Sequence, residues 1–207
     1  MEFDFDFERE ERRDKFRKFL LRFFLMALAI AAAIALAWAI TKYALEKTDM
    51  VGSSMETTLS DGDSLMINKL AYFRSKPERF DVIVFEQSGK EHSFYCIRRV
   101  IGLPGETVTI REGHVYINGE MITEKVNVDD IFIEGLALEG VTLDEDEYFV
   151  LGDNRNESED SRFANIGNVV ENKIIGKVWL RLNKFGFVSS MNLVSEDSEE
   201  KEDKKDE

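Results

Sequence analysis

Gly52, Ser53 and Ser54 stand at the head of a run, VGSSMETTL at 51–59, whose residue types suit nucleophilic chemistry. A serine hydroxyl attacks a carbonyl once a neighbouring base takes its proton, and a backbone N–H beside it holds the oxyanion that forms. Taken alone, the run equally fits an ordinary turn in which serines satisfy backbone groups. Two later stretches stand out beside it: YCIRRVIGLPGE at 95–106 places two arginines in a strand, and LGDNRNESEDSRF at 151–163 gathers Asp, Asn, Ser and Arg, a composition that also fits a polar turn. Metal chemistry has no support in the pattern. Cys96 is the single cysteine, and His92 and His114 lie too far apart for a zinc spacing, so an internal disulfide is excluded as well. A formal net charge of -14 excludes a nucleic-acid partner, which needs clustered Lys and Arg.

The elements that must position these residues follow from composition. A chain of 207 residues with 43% hydrophobic content holds one ordinary domain. Residues 1–22 are densely charged, and 23–40 then run eighteen residues without a charge. At about 1.5 Å per residue that is just long enough for a hydrocarbon core of about 30 Å. The apolar run exceeds the 7 to 15 residues usual for a cleaved signal sequence, although its alanines offer cleavage sites (about 7–15 by the general rule). Seven basic residues precede the span and only Lys42 and Lys47 closely follow it, which puts the N-terminus in the cytoplasm and the main domain outside. From Ser64 the pattern becomes short apolar runs divided by turn residues, as in an antiparallel sheet. Asn118-Gly119 between two such runs is a strong hairpin signal, because both residues tolerate the positive φ of a type I′ turn. The expected division is a cytoplasmic charged segment at 1–22, a transmembrane helix at 23–41 and an extracytoplasmic β domain at 42–194. Within that domain a smaller insert falls near 115–145. Residues 195–207 hold eight acids, three lysines and no apolar residue, and are expected to be a disordered tail.

The three polar stretches, in this order and behind one anchor, resemble the boxes of bacterial type I signal peptidases, particularly the short single-span enzymes of Gram-positive bacteria. The run GDNRNESEDSR is the most specific part, and the likeness extends from about Val51 to Leu182. The resemblance implies a mostly β fold of coiled antiparallel sheets behind one N-terminal transmembrane helix. It implies a serine endopeptidase that removes N-terminal signal peptides from translocated preproteins, with membrane lipid and the protein export machinery as partners and no metal or organic cofactor. Residue by residue, it makes Ser54 the nucleophile, since that serine directly precedes Met55 in the box. Gly52 assists the oxyanion hole, and Ser158, Asp160 and Arg162 support the site.

Two positions depart from the family pattern. Thr57 replaces a proline, so loss of the fixed φ is expected to loosen the loop after Ser54. Arg98 occupies the position of the lysine general base. A buried lysine can lose its proton because desolvation disfavours the ammonium form, whereas a guanidinium stays protonated, and deprotonating it at pH 7 costs about 7 to 9 kcal/mol. None of the other basic groups replaces it. His92 is about 20 Å along the strand from Arg98, Lys69 has no catalytic place in the resemblance, and His114 flanks a turn (distance from the rise of an extended chain). Two functional expectations therefore stand together: a signal peptidase with weak or absent activity, and a relative that binds peptides or assists assembly of surface proteins.

Overall fold

The computed structural model describes residues 3–88, 93–191 and 193. His92 and the tail at 195–207 lie outside the described residues. Two compact units divide at Ala44 and Leu45.

The first unit is a single helix, α1, Phe3–Tyr43. The charged segment and the apolar span thus share one continuous rod, with no break at their junction, in keeping with the absence of Pro and Gly before Gly52. The stretch Lys15–Tyr43 is long and apolar enough to cross a membrane, and none of its apolar window is buried against protein. Near its end Lys42 Nζ lies 4.7 Å from the centroid of the Trp38 ring and 5.5 Å from that of Tyr43. Aromatic rings with a basic neighbour are the groups that settle at a membrane–water interface.

The second unit is mostly antiparallel β-structure. Its strands are β1 Leu45–Asp49, β2 Ser64–Asn68, β3 Val82–Ser88, β4 Ser93–Gly102, β5 Thr107–Arg111 and β6 His114–Ile117. They continue with β7 Glu120–Met121, β8 Val141–Thr142, β9 Glu147–Leu151, β10 Val169–Val170, β11 Ile174–Arg181 and β12 Gly186–Phe187. The larger sheet has the order β1-β2-β11-β3-β4-β9-β10, with β12 added to β11, and the smaller has the order β7-β6-β5-β8. Register shifts between Val178 and Leu180, between Ile174 and Gly176 and between Val100 and Gly102 interrupt the large sheet. Such irregularities bend and twist strands. The sheet curls enough for β1 and β4, which are not neighbours in it, to line the same cleft.

The turn chemistry read from the sequence is present: Asn118 and Gly119, between β6 and β7, have φ of 52° and 89°. The smaller sheet runs from Thr107 to Thr142 and encloses most of the stretch expected as an insert. One apolar cluster, with Met50, Met55, Leu59, Leu65, Ile67 and Val84, lies beneath the Ser54 loop. A second joins the sheets by packing Phe149 and Leu151 of β9 with Val108, Ile110 and Ile117. Gly102 sits at that seam, where an added Cβ would lie 2.5 Å from Val108 Cγ2 and 2.9 Å from Phe149 Cβ. Gly102→Ala is expected to lower the unfolding free energy by about 1–3 kcal/mol through overpacking. Denaturant unfolding of the full chain in detergent checks this, and an unchanged midpoint contradicts it.

Candidate active site

Ser54 is positioned from both sides. Behind it, Met55 and Leu59 are fully buried, and the turn is closed by Glu56 N–H donating to Ser53 O at 3.0 Å and Leu59 N–H donating to Met55 O at 2.7 Å. Across from it, the loop after β9 holds the Ser54 carbonyl, which accepts from Asn154 N–H at 3.1 Å, while Asn154 Nδ2 donates to Ser53 O at 3.1 Å. Gly152 is what lets these loops touch. A Cβ there would fall 2.4 Å from Ser54 O and 2.1 Å from Ser158 Oγ. The first and last boxes of the sequence are thus joined backbone to backbone.

Arg98 reaches the same point from β4. Its Nη1 donates to Ser54 Oγ at 2.7 Å and to Ile97 O at 2.6 Å, and Nε and Nη2 donate to Glu159 O at 2.9 and 2.6 Å. Four of its five N–H groups are therefore directed at acceptors on fixed backbone or on Ser54 itself. Burial pushes the Arg98 pKa down, while the charges of Cys96, Asp160 and Glu159 push it up. A guanidinium nonetheless keeps its proton, so every group it offers to Ser54 is a donor. A cation this close favours the alkoxide form of the serine but cannot receive the proton that must leave.

The expected oxyanion donors differ in state. Ser54 N–H has no acceptor among the described residues, the condition that an oxyanion donor must meet. Gly52 N–H donates to Asp61 Oδ1 at 2.8 Å. Gly52 has φ 84°, a conformation open to glycine, and its amide is engaged within its own loop.

The support residues form a layer of buried arginine–carboxylate pairs. Arg162 grips Asp160 through Nε to Oδ1 at 2.8 Å and Nη2 to Oδ2 at 2.9 Å, and Asp160 Oδ2 also accepts from Gly152 N–H at 3.1 Å. Arg99 takes Asp153 in the same two-pronged way, at 2.8 and 2.5 Å, and Thr58 Oγ1 donates to Asp153 Oδ2 at 2.5 Å. Arg155 is paired through both terminal nitrogens with Glu124 from the intervening loop. Ser158 Oγ is buried and has no hydrogen-bond partner among the described residues. The sequence reading picked out Asp160 and Arg162 but not the bracing by Asp153, Thr58, Arg99 and Glu124. Adjacent arginines at 98 and 99 were the available signal, because strand alternation must send them to opposite faces.

At Thr57, where the family pattern has proline, the backbone takes a left-handed path. Its φ is 84°, and the flanking turn is hydrogen bonded through Thr58 N–H to Met55 O at 3.0 Å. Proline is locked near −65° and cannot adopt this backbone, so its loss lets the loop take a different, left-handed path (about −65° by ring geometry).

A cleft of about 550 Å³ opens beside Ser54, lined by Thr48, Asp49, Met50 and Val51 on one side and by Phe94 to Arg98 on the other. Cys96 faces it as a buried thiol whose pKa burial pushes up, which makes it a packing group and a poor nucleophile. Residues 93–98 of β4 pair with β3 on one side, while pairing with β9 begins only at Arg99. Both β1, at the sheet's end, and this part of β4 present open strand edges to the cleft. Among the described residues no group of His, Cys, Asp and Glu is arranged to hold a metal.

Comparison with known proteins bears on this arrangement. The family described as signal peptidase, peptidase S26, matches residues 23–183. The chain belongs to that family. It is 36% identical over 169 residues to the probable signal peptidase I-2 of Synechocystis sp., covering 79% of this chain and 73% of that protein. Signal peptidase I P of Bacillus subtilis subsp. natto is 38% identical over 134 residues, covering 61% of this chain and 71% of that one. Among solved structures, a signal peptidase I from Enterococcus faecalis V583 is 36% identical and aligns with 50% of this chain and 97% of its own, at a TM-score of 0.40.

Two stability outcomes follow from the site's construction. Asp160→Ala leaves Arg162 charged and buried, and is expected to cost about 3–5 kcal/mol in denaturant unfolding. At Thr57 the left-handed backbone costs a β-branched residue about 1–2 kcal/mol, so Thr57→Gly should be no less stable than the native chain, whereas Thr57→Pro should be clearly less stable than both. Equal stability of the Gly and Pro variants would contradict the observed φ.

Proposed function

We propose that this member of the signal peptidase family is a membrane-anchored protein that binds the cleavage region of signal peptides in the cleft beside Ser54, with its serine endopeptidase activity suppressed by Arg98. The observation that carries the reading is the Arg98 Nη1–Ser54 Oγ contact of 2.7 Å. A nucleophilic serine needs a base within hydrogen-bond reach, and this position supplies only a donor. Loss of a positioned base typically lowers rate by about 10²–10⁴-fold, and more where the groups act as a unit.

The binding half of the reading is supported by the open edges of β1 and β4. An extended peptide laid between them would add backbone hydrogen bonds as a further strand and place side chains alternately into the apolar cleft. Anchoring is supported by α1, and the excess of Lys and Arg before the span supports a cytoplasmic N-terminus with the β domain on the outer face. On this reading Gly52, Ser158, Asp160 and Arg162 keep the shape of a peptidase site around a serine that lacks its proton acceptor. Membrane lipid is the surrounding partner of α1, and the export machinery is the proposed source of the peptides. Assisting assembly of surface proteins is a role open to such a binder.

The rival reading, a fully active signal peptidase, is favoured by the unengaged Ser54 N–H and the intact last box. The two separate in one assay. A preprotein is incubated in liposomes with the native chain, Arg98→Lys and Ser54→Ala. In the lysine variant a desolvated amine would take the Ser54 proton, the serine oxygen would bond to the scissile carbonyl carbon, the amine nitrogen of the mature protein would leave with a proton, and water would release the acyl group. Arg98→Lys should cut at least about 10²-fold faster than the native chain, which should match Ser54→Ala. Cleavage by the native chain that Ser54→Ala abolishes would establish the rival.

A further inference from the structure

The buried arginines of the β domain are not equivalent. Arg99, Arg155 and Arg162 are each at most 3% exposed, and each is matched two-pronged to a carboxylate, Asp153, Glu124 and Asp160 in turn. Arg98 is 8% exposed and has no carboxylate partner among the described residues. Its acceptors are two carbonyl oxygens and a hydroxyl. The nearest carboxylates are committed elsewhere: Asp160 to Arg162 and Gly152 N–H, and Glu159 to Asn165 Nδ2 at 2.8 Å. Asp160 and Glu159 act on Arg98 only from a distance, so a guanidinium this deeply placed with no carboxylate in direct contact is expensive to desolvate, and an incoming anion recovers part of that cost.

The surroundings of Arg98 decide which anion fits. The guanidinium lines a cleft together with Met50, Val51, Phe94, Tyr95 and Ile97 and with the polar Thr48 and Asp49, whose carboxylate accepts from Ser64 Oγ at 2.5 Å, so a fitting occupant is mostly apolar and carries its negative charge at Arg98. Among the described residues, one Nη2 hydrogen is unspent, the Ser54 hydroxyl hydrogen has no acceptor, and Ser54 N–H is open. All three belong to Ser54 and Arg98, which line the cleft together, so an extended peptide lying along β4 with its C-terminus at this corner would meet them. We infer that the Arg98–Ser54 corner is a binding site for the C-terminal carboxylate of an apolar peptide, which makes the protein selective for a released, already cut signal peptide over an uncut preprotein. The inference rests on the proposed role of the cleft as a peptide site. It reverses the usual preference of a peptidase, because a lysine that must be neutral to act as a base offers no fixed charge, whereas Arg98 always does. Charge-assisted hydrogen bonds to a carboxylate are the strong ones, and Arg is suited to them.

The test uses the full chain in detergent and two fluorescent apolar peptides ending in alanine, identical except that one carries a free C-terminal carboxylate and the other a carboxamide. Anisotropy titration should show the acid binding about 10- to 100-fold more tightly than the amide (the worth of a hydrogen-bonded charge). With Arg98→Gln the acid-to-amide ratio should fall to about one, and with Ser54→Ala the preference for the acid should persist (the loss of a hydrogen-bonded charge in the first case only). Equal binding of acid and amide to the native chain overturns the carboxylate site and leaves the cleft as a peptide site. Binding of neither peptide overturns both readings. A preference that survives in Arg98→Gln overturns the assignment to this arginine.

Discussion

One hydrogen bond, from the Arg98 guanidinium to the Ser54 hydroxyl, sets what the rest of the fold can accomplish. The elements around it are those of a peptidase: a serine on a tight turn, an unengaged amide, an apolar cleft and two open strand edges. Chemistry at such a site requires a group that changes protonation state as the serine attacks. Arg98 sits where that group belongs and cannot change state, because its charge is delocalised over three nitrogens and held by carbonyl acceptors on Glu159 and Ile97. On the proposed reading, the bond turns a place for catalysis into a fixed electrostatic feature.

The surrounding architecture spends considerable order on keeping that feature in place. Arg98 and Arg99 leave β4 on opposite faces, so one strand supplies both the cation at Ser54 and the brace on Asp153. Asp153, Asn154 and Gly152 then lock the end of β9 onto the serine loop through Thr58, Ser53 and Ser54. Asp160 closes the circuit by accepting from Gly152 N–H while held by Arg162. Paired, hydrogen-bonded charges of this kind add little net stability against an apolar core, yet they are costly to break singly and so fix one geometry. The left-handed Thr57 belongs to the same geometry. A residue that costs free energy at that φ persists only where its neighbours over-determine the turn.

Much of this is legible in the sequence, and the limits have physical reasons. The change to short strands at Ser64 was read where β2 begins, because short apolar runs between turn residues carry their own period and stops. The Asn118-Gly119 turn was equally local. By contrast β1, with the sequence LEKTD, is an edge strand whose polar residues disclose nothing, and it exists because β2 offers it five paired positions. Ser54, Arg98 and the last box stood out through their resemblance to a family, yet the distance between them is a product of sheet curl that no spacing encodes. The pairing of Arg155 with Glu124 joins residues 31 apart across a loop, and the capture of Gly52 N–H by Asp61 is a loop closure. Both are long-range choices among many carboxylates in a strongly acidic chain. The left-handed φ of Thr57 was not legible, because it is set by a turn closed through Thr58 and Leu59 N–H on Met55 O rather than by the residue's own preference.

The account stands on Arg98 remaining a cation bonded to Ser54 throughout the pH range in which a peptidase would work. The most direct measurement is the side-chain carbon and nitrogen resonances of Arg98 in isotopically labelled protein, assigned by their loss in Arg98→Lys and followed from about pH 5 to about pH 10, well below the ordinary arginine range. No titration step should appear, and Ser54→Ala should shift the Nη1 signal by removing its acceptor. A step with a midpoint inside that window would show that the guanidinium gives up its proton, and would contradict the claim that this site lacks a base.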